Sequence, residues 1–226
     1  MSLIINKQTC IVFDLDDTLY KEVEFLKSAY RHISTLLLPY TGSDIYEMMI
    51  DLYTTGKNTL DLIKEKFDFP YSVKELVHEY RYHSPKLTIS EEVLLLLKHS
   101  KEKAGKVGLL TDGRSITQRN KIESLGIASY FDDIRISEET GCEKPAEGCF
   151  TFFQYKYPYL QHFVYIADNI KKDFITANKL GWQTCGLRMN EWNIHKQDLN
   201  LESCYHPLMW IANISELIID ADKIDL

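Results

Sequence analysis

The chain alternates short apolar runs with longer segments of helical periodicity. In residues 115–126 and 170–181, apolar residues recur at helical spacing and a glycine closes each segment. The apolar runs are TCIVFD (9–14), KVGLLT (106–111), HFVYIAD (162–168) and WQTCGLRM (182–189). Strands that alternate with helices of about ten residues are typical of βαβ units. The pattern therefore predicts an α/β fold in which helices cover both faces of a parallel sheet.

A long helical insert separates the first two predicted strands. About 90 residues lie between them, far more than one crossover helix requires. Residues 20–84 show helical patterns only, and Pro85 marks the expected return to the sheet. We predict a small all-helical cap domain over residues 20–84 and an α/β core domain formed by residues 1–19 and 85–226. Near the C-terminus, PLMWIANISELIIDA (207–221) predicts an edge strand and a closing helix.

Composition and charge narrow the classes of partner. The chain is 45% hydrophobic and 26% charged, with a formal net charge of -7 and a pI near 5.5. Such a charge argues against nucleic acid or an anionic membrane as the main partner, and no apolar stretch approaches a membrane span. We expect a cytoplasmic protein, a monomer rather than a dimer. Five cysteines without CxxC spacing favour reduced, packed thiols over disulfides or a zinc site.

Acidic residues follow two of the predicted strands. The stretch FDLDDTLY (13–20) places Asp14 and Asp16 two positions apart, where side chains of an extended chain point the same way. Asp17 faces elsewhere and suits a turn. Two carboxylates held this close need a proton or a cation, and Mg²⁺ prefers carboxylate oxygens. Asp168, after the third run, completes a predicted magnesium site.

A predicted anion-binding corner lies beside these acids. Thr111 ends the second run, and the backbone amides of Asp112 and Gly113 follow at the start of a helix, where anions bind readily. Lys144 precedes Pro145, which suits a first helical turn. A lone lysine is usually a surface residue. The neighbouring corner still requires a fixed cation, however, and Lys144 is the candidate.

With these residues in place, the chain resembles the haloacid dehalogenase superfamily of phosphohydrolases. Its DxDx[TV] motif is found as residues 14–18, its Ser or Thr after an apolar strand as Thr111, its lysine as Lys144, and its acidic motif as Asp168 with Asp173. The resemblance covers residues 9–188. It implies a Rossmann-like three-layer α/β/α core with a small helical cap of the C1 type inserted after the first strand.

The resemblance also implies roles for these residues. Asp14 would be the nucleophile that forms an aspartyl-phosphate, and Asp16 the general acid and then the base. Mg²⁺ would be bound by Asp14, Asp16 and Asp168, with Asn169 and Asp173 supporting these ligands from behind. The phosphoryl group would be bound by the residues Leu15, Thr111, Asp112, Gly113 and Lys144. The implied substrate is a small phosphorylated metabolite: a sugar or polyol phosphate, or a nucleotide.

Three alternatives remain open at this point. GLLTDGRS (108–115) is close to the phosphate loop GxxxxGK[ST] of kinases, although arginine replaces the lysine and the leucines resemble a buried strand. A catalytically silent phosphate-binding or regulatory domain would share the fold. A haloacid dehalogenase would lack the acid at position 16, because its reaction has no alkoxide to protonate.

Overall fold

The computed structural model describes residues 3–219, and its centre is a six-stranded parallel sheet of order β3-β2-β1-β4-β5-β6. The strands are β1 (Thr9–Phe13), β2 (Lys106–Thr111), β3 (Asp133–Ile136), β4 (His162–Ala167), β5 (Gln183–Leu187) and β6 (Met209–Ile211). The core helices are α5 (Glu91–Lys103), α6 (Ser115–Leu125), α7 (Ser137–Thr140), α8 (Glu147–Lys156), α9 (Phe174–Lys179) and α10 (Glu216–Ile219). The predicted parallel α/β fold is confirmed.

Both faces of the sheet are buried, which makes the core a three-layer α/β/α structure. Phe13 lies on one face, in a cluster with apolar residues of α5 and α6. Val12 lies on the other face, in a cluster with residues of α8 and α9. Burial of each such side chain contributes about 1.5–3 kcal/mol. Because parallel strands are covered on both sides, their sequences are continuous apolar runs rather than alternating ones.

Four helices between β1 and α5 form a separate apolar cluster. They are α1 (Glu22–Thr41), α2 (Tyr46–Thr54), α3 (Thr59–Lys66) and α4 (Val73–Tyr82). The predicted helical stripe of α1 is buried, and α1 ends at Gly42, whose φ of 70° suits glycine. Ser72 and Glu75 form a capping box at the start of α4. The insert thus has a small core of its own.

Some elements differ from the predictions. β3 was not predicted, because its four residues, DIRI, include two charges and three half-buried side chains. The helix expected over residues 170–181 begins only at Phe174, after a turn in which the backbone amide of Asp173 donates to the carbonyl of Asn169. The predicted edge strand and closing helix correspond to β6 and α10, and residues 220 and 221 of that segment lie outside the described residues.

The cysteine prediction is wrong for one pair. Cys142 and Cys149 form a disulfide with their Cα atoms 5.6 Å apart. The loop around Pro145 folds back on the first turn of α8 and brings the two together, which the spacing did not indicate. Cys10 and Cys185 are buried free thiols, whereas Cys204 is exposed.

Among the helices of residues 3–219, we find none whose length and apolar character would allow it to cross a membrane.

Candidate active site

The sheet order brings the predicted site residues to one edge. β1 lies between β2 and β4, so the carboxyl ends of these three strands are adjacent. Asp14 follows β1, and its backbone amide donates to the carbonyl of Ile166 in β4 at 2.9 Å. Thr111 ends β2 and Asp168 follows β4. Ligands of open α/β sheets bind at such an edge.

Three buried aspartates form a cluster at this edge. Asp14, Asp168 and Asp173 each place a carboxylate oxygen within 4.8 Å of the others, and residues 3–219 contain no other such acidic group. Asp173, which was predicted to support the metal ligands, lies within this cluster. Its second oxygen accepts a hydrogen bond from the backbone amide of Asn169 at 2.8 Å. Three converging carboxylates fit a hard divalent cation such as Mg²⁺.

Lys144 is the fixed cation beside these acids. Its Nζ lies 2.8 Å from Asp14 Oδ1 and 2.8 Å from Asp173 Oδ1, and it donates to the Tyr165 hydroxyl at 3.0 Å. The backbone amide of Lys144 donates to Asp112 Oδ1 at 3.1 Å, which ties its loop to the end of β2. Lys144 is 4% exposed. Lys144, the predicted cation of the site, thus contacts two members of the acidic cluster.

The cluster carries more negative charge than Lys144 balances. Burial raises the pKa of Asp14 to about 7, although the charge of Lys144 opposes this. Burial, with the charges of Asp173 and Asp14, raises the pKa of Asp168 to about 9. Burial alone would lower the pKa of Lys144, but Asp14 and Asp173 hold it well above its usual range. A divalent cation would favour the ionised carboxylates, so the donor set and its charge fit Mg²⁺.

The Asp16 carboxylate lies outside this cluster, which corrects the prediction that it converges on the metal with Asp14. It accepts hydrogen bonds from the Tyr20 hydroxyl at 2.5 Å, Gln118 Nε2 at 2.9 Å and Lys121 Nζ at 2.7 Å. The strand ends at Phe13, so the alternation assumed for an extended chain does not continue to residue 16. Burial acts to raise the pKa of Asp16, but Lys121 and the other donors lower it below its usual value.

Some of the predicted phosphate-binding groups have no protein partner and can bind a ligand, whereas others already bind a protein group. In the described part of the chain, the backbone amides of Leu15 and Asp112 donate to no other protein group, so both can serve a ligand. The amide of Gly113 donates to Ser137 Oγ at 2.9 Å, which corrects its predicted role. The Asp112 carboxylate accepts from Lys172 Nζ at 2.7 Å. Thr111 is buried, with its hydroxyl 2.6 Å from Gln118 Nε2.

The kinase-type phosphate loop is excluded by the same segment. Leu109 and Leu110 are buried in β2, which continues to Thr111. A phosphate loop would leave the strand before these residues and wrap its amides around a nucleotide.

Asp17 has a structural role at the base of the insert. It has a φ of 55°, and its carboxylate accepts from the backbone amides of Glu22 at 3.2 Å and Ile194 at 2.9 Å. Asp17 therefore joins the start of α1 to the loop after β5. The interpretation of Asp17 as a turn residue agrees with this geometry.

Sequence reasoning missed three buried polar residues around the site. Gln118 and Lys121 lie one turn apart on α6, about 100 residues from Asp16, where they read as ordinary helix residues. Asn193, in the irregular loop after β5, donates to Asp168 Oδ2 at 3.2 Å and accepts from Lys21 Nζ at 2.9 Å. No local motif marked them, because each is recruited by long-range packing.

Comparisons with known proteins place this geometry in a family. The model of the haloacid dehalogenase-like hydrolase family matches residues 11–187. A glyceraldehyde 3-phosphate phosphatase of Methanocaldococcus jannaschii is 30% identical over 207 residues, covering 83% of this chain and 88% of that protein. A glyceraldehyde 3-phosphate phosphatase of Methanopyrus kandleri is 25% identical over 197 residues, covering 80% of this chain and 84% of that protein.

A solved structure shares the fold. The HAD-hydrolase YfnB of Bacillus subtilis, bound to magnesium, has a TM-score of 0.66 and 19% identity over 95% of this chain and 98% of its own. The family model spans most of the chain, including every residue of the acidic cluster. The chain therefore belongs to the haloacid dehalogenase-like hydrolases.

Proposed function

We propose that the protein is a Mg²⁺-dependent phosphatase that hydrolyses a small phosphomonoester through an aspartyl-phosphate at Asp14. The observation that carries this proposal is the position of Asp14, which meets Lys144 on one side and Asp168 on the other within a single buried cluster. Asp14, Asp168 and Asp173 offer the oxygen ligands for Mg²⁺. When bound, the metal would neutralise carboxylate and phosphoryl charge.

The first chemical step belongs to Asp14. One of its carboxylate oxygens attacks phosphorus, the bond to the substrate oxygen breaks, and the leaving alkoxide takes a proton from Asp16. In the second step a water gives its proton to Asp16 and attacks the aspartyl-phosphate, which releases inorganic phosphate. Asp16 must be ionised for this second step, and three hydrogen-bond donors surround it in that form.

The transferred phosphoryl group requires donors that are fixed before it arrives. The Thr111 hydroxyl, the Lys144 ammonium and the backbone amides of Leu15 and Asp112 supply them in this proposal. Loss of one preorganised donor typically costs about 10² to 10³ in rate, so this set would account for much of the rate enhancement.

The helical insert, residues 20–84, acts as a cap in this proposal. Lys121 Nζ on α6 lies 3.7 Å from Glu22 Oε1 and over the ring of Phe25, so the start of α1 packs beside Asp16. Asp14 and Asp168 are 6% and 2% exposed, which leaves little access for a substrate in this arrangement. We infer that the cap moves away from the core to admit substrate, and interdomain movement has been described for YfnB.

Two relatives named glyceraldehyde 3-phosphate phosphatase favour a triose phosphate or another small sugar phosphate as substrate. The test is a panel of phosphomonoesters, with glyceraldehyde 3-phosphate, larger sugar phosphates and nucleoside monophosphates, in Mg²⁺ or EDTA. We expect turnover in Mg²⁺ only, with the highest kcat/KM for the smallest sugar phosphates. Asp14→Asn should remove turnover, whereas Asp51→Asn, an exposed aspartate on α2, should not. If no ester in the panel is hydrolysed, the catalytically silent alternative holds.

A further inference from the structure

Gln118 connects two residues of the site that come from different strands. It is 1% exposed, and it projects from the first turn of α6. Its Nε2 donates to Asp16 Oδ2 at 2.9 Å and to Thr111 Oγ1 at 2.6 Å. A single amide group therefore joins Asp16, the proton carrier of the proposed mechanism, to the hydroxyl at the end of β2.

The chemistry of the three groups fixes the direction of each hydrogen bond. The NH₂ group of an amide donates hydrogen bonds and accepts none, so both contacts of Gln118 Nε2, to Asp16 and to Thr111, run from this NH₂ group. That NH₂ group has two hydrogens, one for Asp16 and one for Thr111. The Thr111 oxygen is then an acceptor toward Gln118, and its own proton has to point elsewhere. In residues 3–219 no protein group accepts that proton, since the hydrogen bond of Thr111 Oγ1 to Gln118 is one that it accepts.

Gly113 makes room for this arrangement. A Cβ atom on Gly113 would lie 3.1–3.3 Å from side-chain atoms of Gln118, closer than an ordinary contact. Gly113 also has a φ of 143°, which favours glycine. The glycine thus contributes space for Gln118 rather than an amide for phosphate.

We propose that Gln118 is a positioning residue that holds the Thr111 hydroxyl as an acceptor and so directs the Thr111 proton to the phosphoryl group. It acts without touching the substrate. The inference rests on the proposed function, because it assigns a phosphoryl oxygen as the acceptor of the Thr111 proton. The competing interpretation is that Gln118 only fills a buried polar space between α6 and β2.

Two substitutions at position 118 separate these interpretations. Gln118→Met keeps the size of the side chain and removes both donors, so the Thr111 hydroxyl can turn away. Gln118→Glu is also similar in size, but its carboxylate would accept the Thr111 proton and repel Asp16. The matched control is Gln161→Met, at an exposed glutamine. Each protein is assayed for kcat/KM on the best phosphomonoester and for inhibition by inorganic phosphate, and its fold is checked by thermal unfolding.

We expect Gln118→Met to weaken inhibition by inorganic phosphate about tenfold, less than the 10² to 10³ in rate for a lost donor, because the hydroxyl remains present. Gln118→Glu should weaken it further, and Gln161→Met should match wild type. In a Thr111→Val background, Gln118→Met should change phosphate inhibition by less than about twofold, since there is no hydroxyl left to orient.

Wild-type phosphate inhibition in both Gln118→Met and Gln118→Glu would overturn the proposal. So would an equal loss with and without the Thr111 hydroxyl, which is the result expected of mere packing. If Gln118→Met does not fold, the same comparison is made with Gln118→Glu. Its loss of phosphate inhibition is measured with Thr111 present and in the Thr111→Val background. A wild-type protein that hydrolyses no phosphomonoester would instead refute the proposed function, so the two failures are distinguishable.

Discussion

Asp14 and Asp16 are two residues apart, yet their carboxylates have opposite surroundings. Each meets a buried lysine, Lys144 at 2.8 Å and Lys121 at 2.7 Å. Burial raises the pKa of Asp14 to about 7, whereas the pKa of Asp16 is lowered. Burial and one lysine contact therefore do not by themselves determine the protonation of a carboxyl group.

The difference lies in what else each lysine and each carboxylate contacts. Lys144 also contacts Asp173, so its positive charge is shared between two carboxylates and only partly stabilises ionised Asp14. Asp16 has further donors in Tyr20 and Gln118. In the proposed mechanism Asp14 is a ligand of Mg²⁺, which would supply the positive charge that Asp14 lacks in the protein alone. The Asp16 carboxylate lies outside the acidic cluster, so its hydrogen-bond donors come from the protein.

The largest effect is expected when Lys144 is replaced. Lys144→Met leaves Asp14 and Asp173 buried without a fixed cation, so kcat/KM should fall by about 10² to 10³. Breaking a buried ion pair from one side also costs about 3–5 kcal/mol, which denaturant unfolding of the metal-free protein would measure. Lys171→Met, at an exposed lysine, should change the free energy of unfolding by less than about 0.5 kcal/mol. A Lys144→Met protein with more than a tenth of wild-type activity would contradict the role of this lysine.

Replacing the other lysine should alter pH dependence. Lys121→Met removes the main charge that lowers the pKa of Asp16, so that pKa should rise. In the proposed mechanism, hydrolysis of the aspartyl-phosphate requires ionised Asp16, so where this step limits kcat the acidic limb of kcat against pH should move to higher pH by about one unit. The measurement is a pH profile at saturating Mg²⁺ and substrate. An unchanged acidic limb would show that Asp16 does not depend on Lys121.

A smaller effect, on Mg²⁺ affinity, is expected from replacing Asn193, which contacts the proposed metal ligand Asp168. Asn193→Ala removes the hydrogen bond to Asp168 and should weaken Mg²⁺ binding about tenfold, as loss of outer partners of metal ligands typically does. Calorimetric titration with Mg²⁺ in the absence of substrate measures this. Asn200→Ala, an exposed asparagine of the same loop, is the control. Equal affinities in the two variants would remove Asn193 from the site.

The smallest effect concerns the metal-free protein. The pKa values of Asp14 and Asp168 are raised to about 7 and about 9, above the unfolded value of about 3.9, so the folded form holds protons more tightly. The stability that these groups contribute is fully present below about pH 4 and is lost as pH rises toward 9. Mg²⁺ binds the ionised forms, so the increase in Tm that it causes should be larger near pH 8.5 than near pH 5.5. A Mg²⁺ effect that shrinks as pH rises would contradict this linkage.

The sequence was most informative where a strand fixes a side chain. Asp14, Thr111 and Asp168 could be placed because each stands at the end of an apolar run, and parallel strands end at one edge. Asp16 could not, because it lies just beyond the strand, where the chain turns and Asp17 adopts a φ of 55°. Alternation predicts directions only while the backbone is extended.

The remaining residues depend on contacts between distant segments. Gln118 and Lys121 are predictable as helix residues, but nothing local indicates that α6 presents them to Asp16. Asn193 lies in a loop without regular structure, and its partner Asp168 is 25 positions earlier. β3 was missed because it is half-buried and includes two charged residues, so it lacks the continuous apolar run that marks the other strands.

In the proposed mechanism Asp14 carries the phosphoryl group, and this aspartyl-phosphate can be detected directly. The Asp16→Asn protein is mixed with 4-nitrophenyl phosphate and Mg²⁺, and the reaction is quenched in acid. The protein is then digested, and the mass of the peptide that contains Asp14 is measured by mass spectrometry. The nitrophenolate leaves without a proton, so the first step proceeds while the second lacks its base. We predict one added phosphoryl group on Asp14 and none in the Asp14→Asn/Asp16→Asn protein. Phosphoryl label on another residue, or an unlabelled Asp14 in a protein whose wild type is active, would contradict the account.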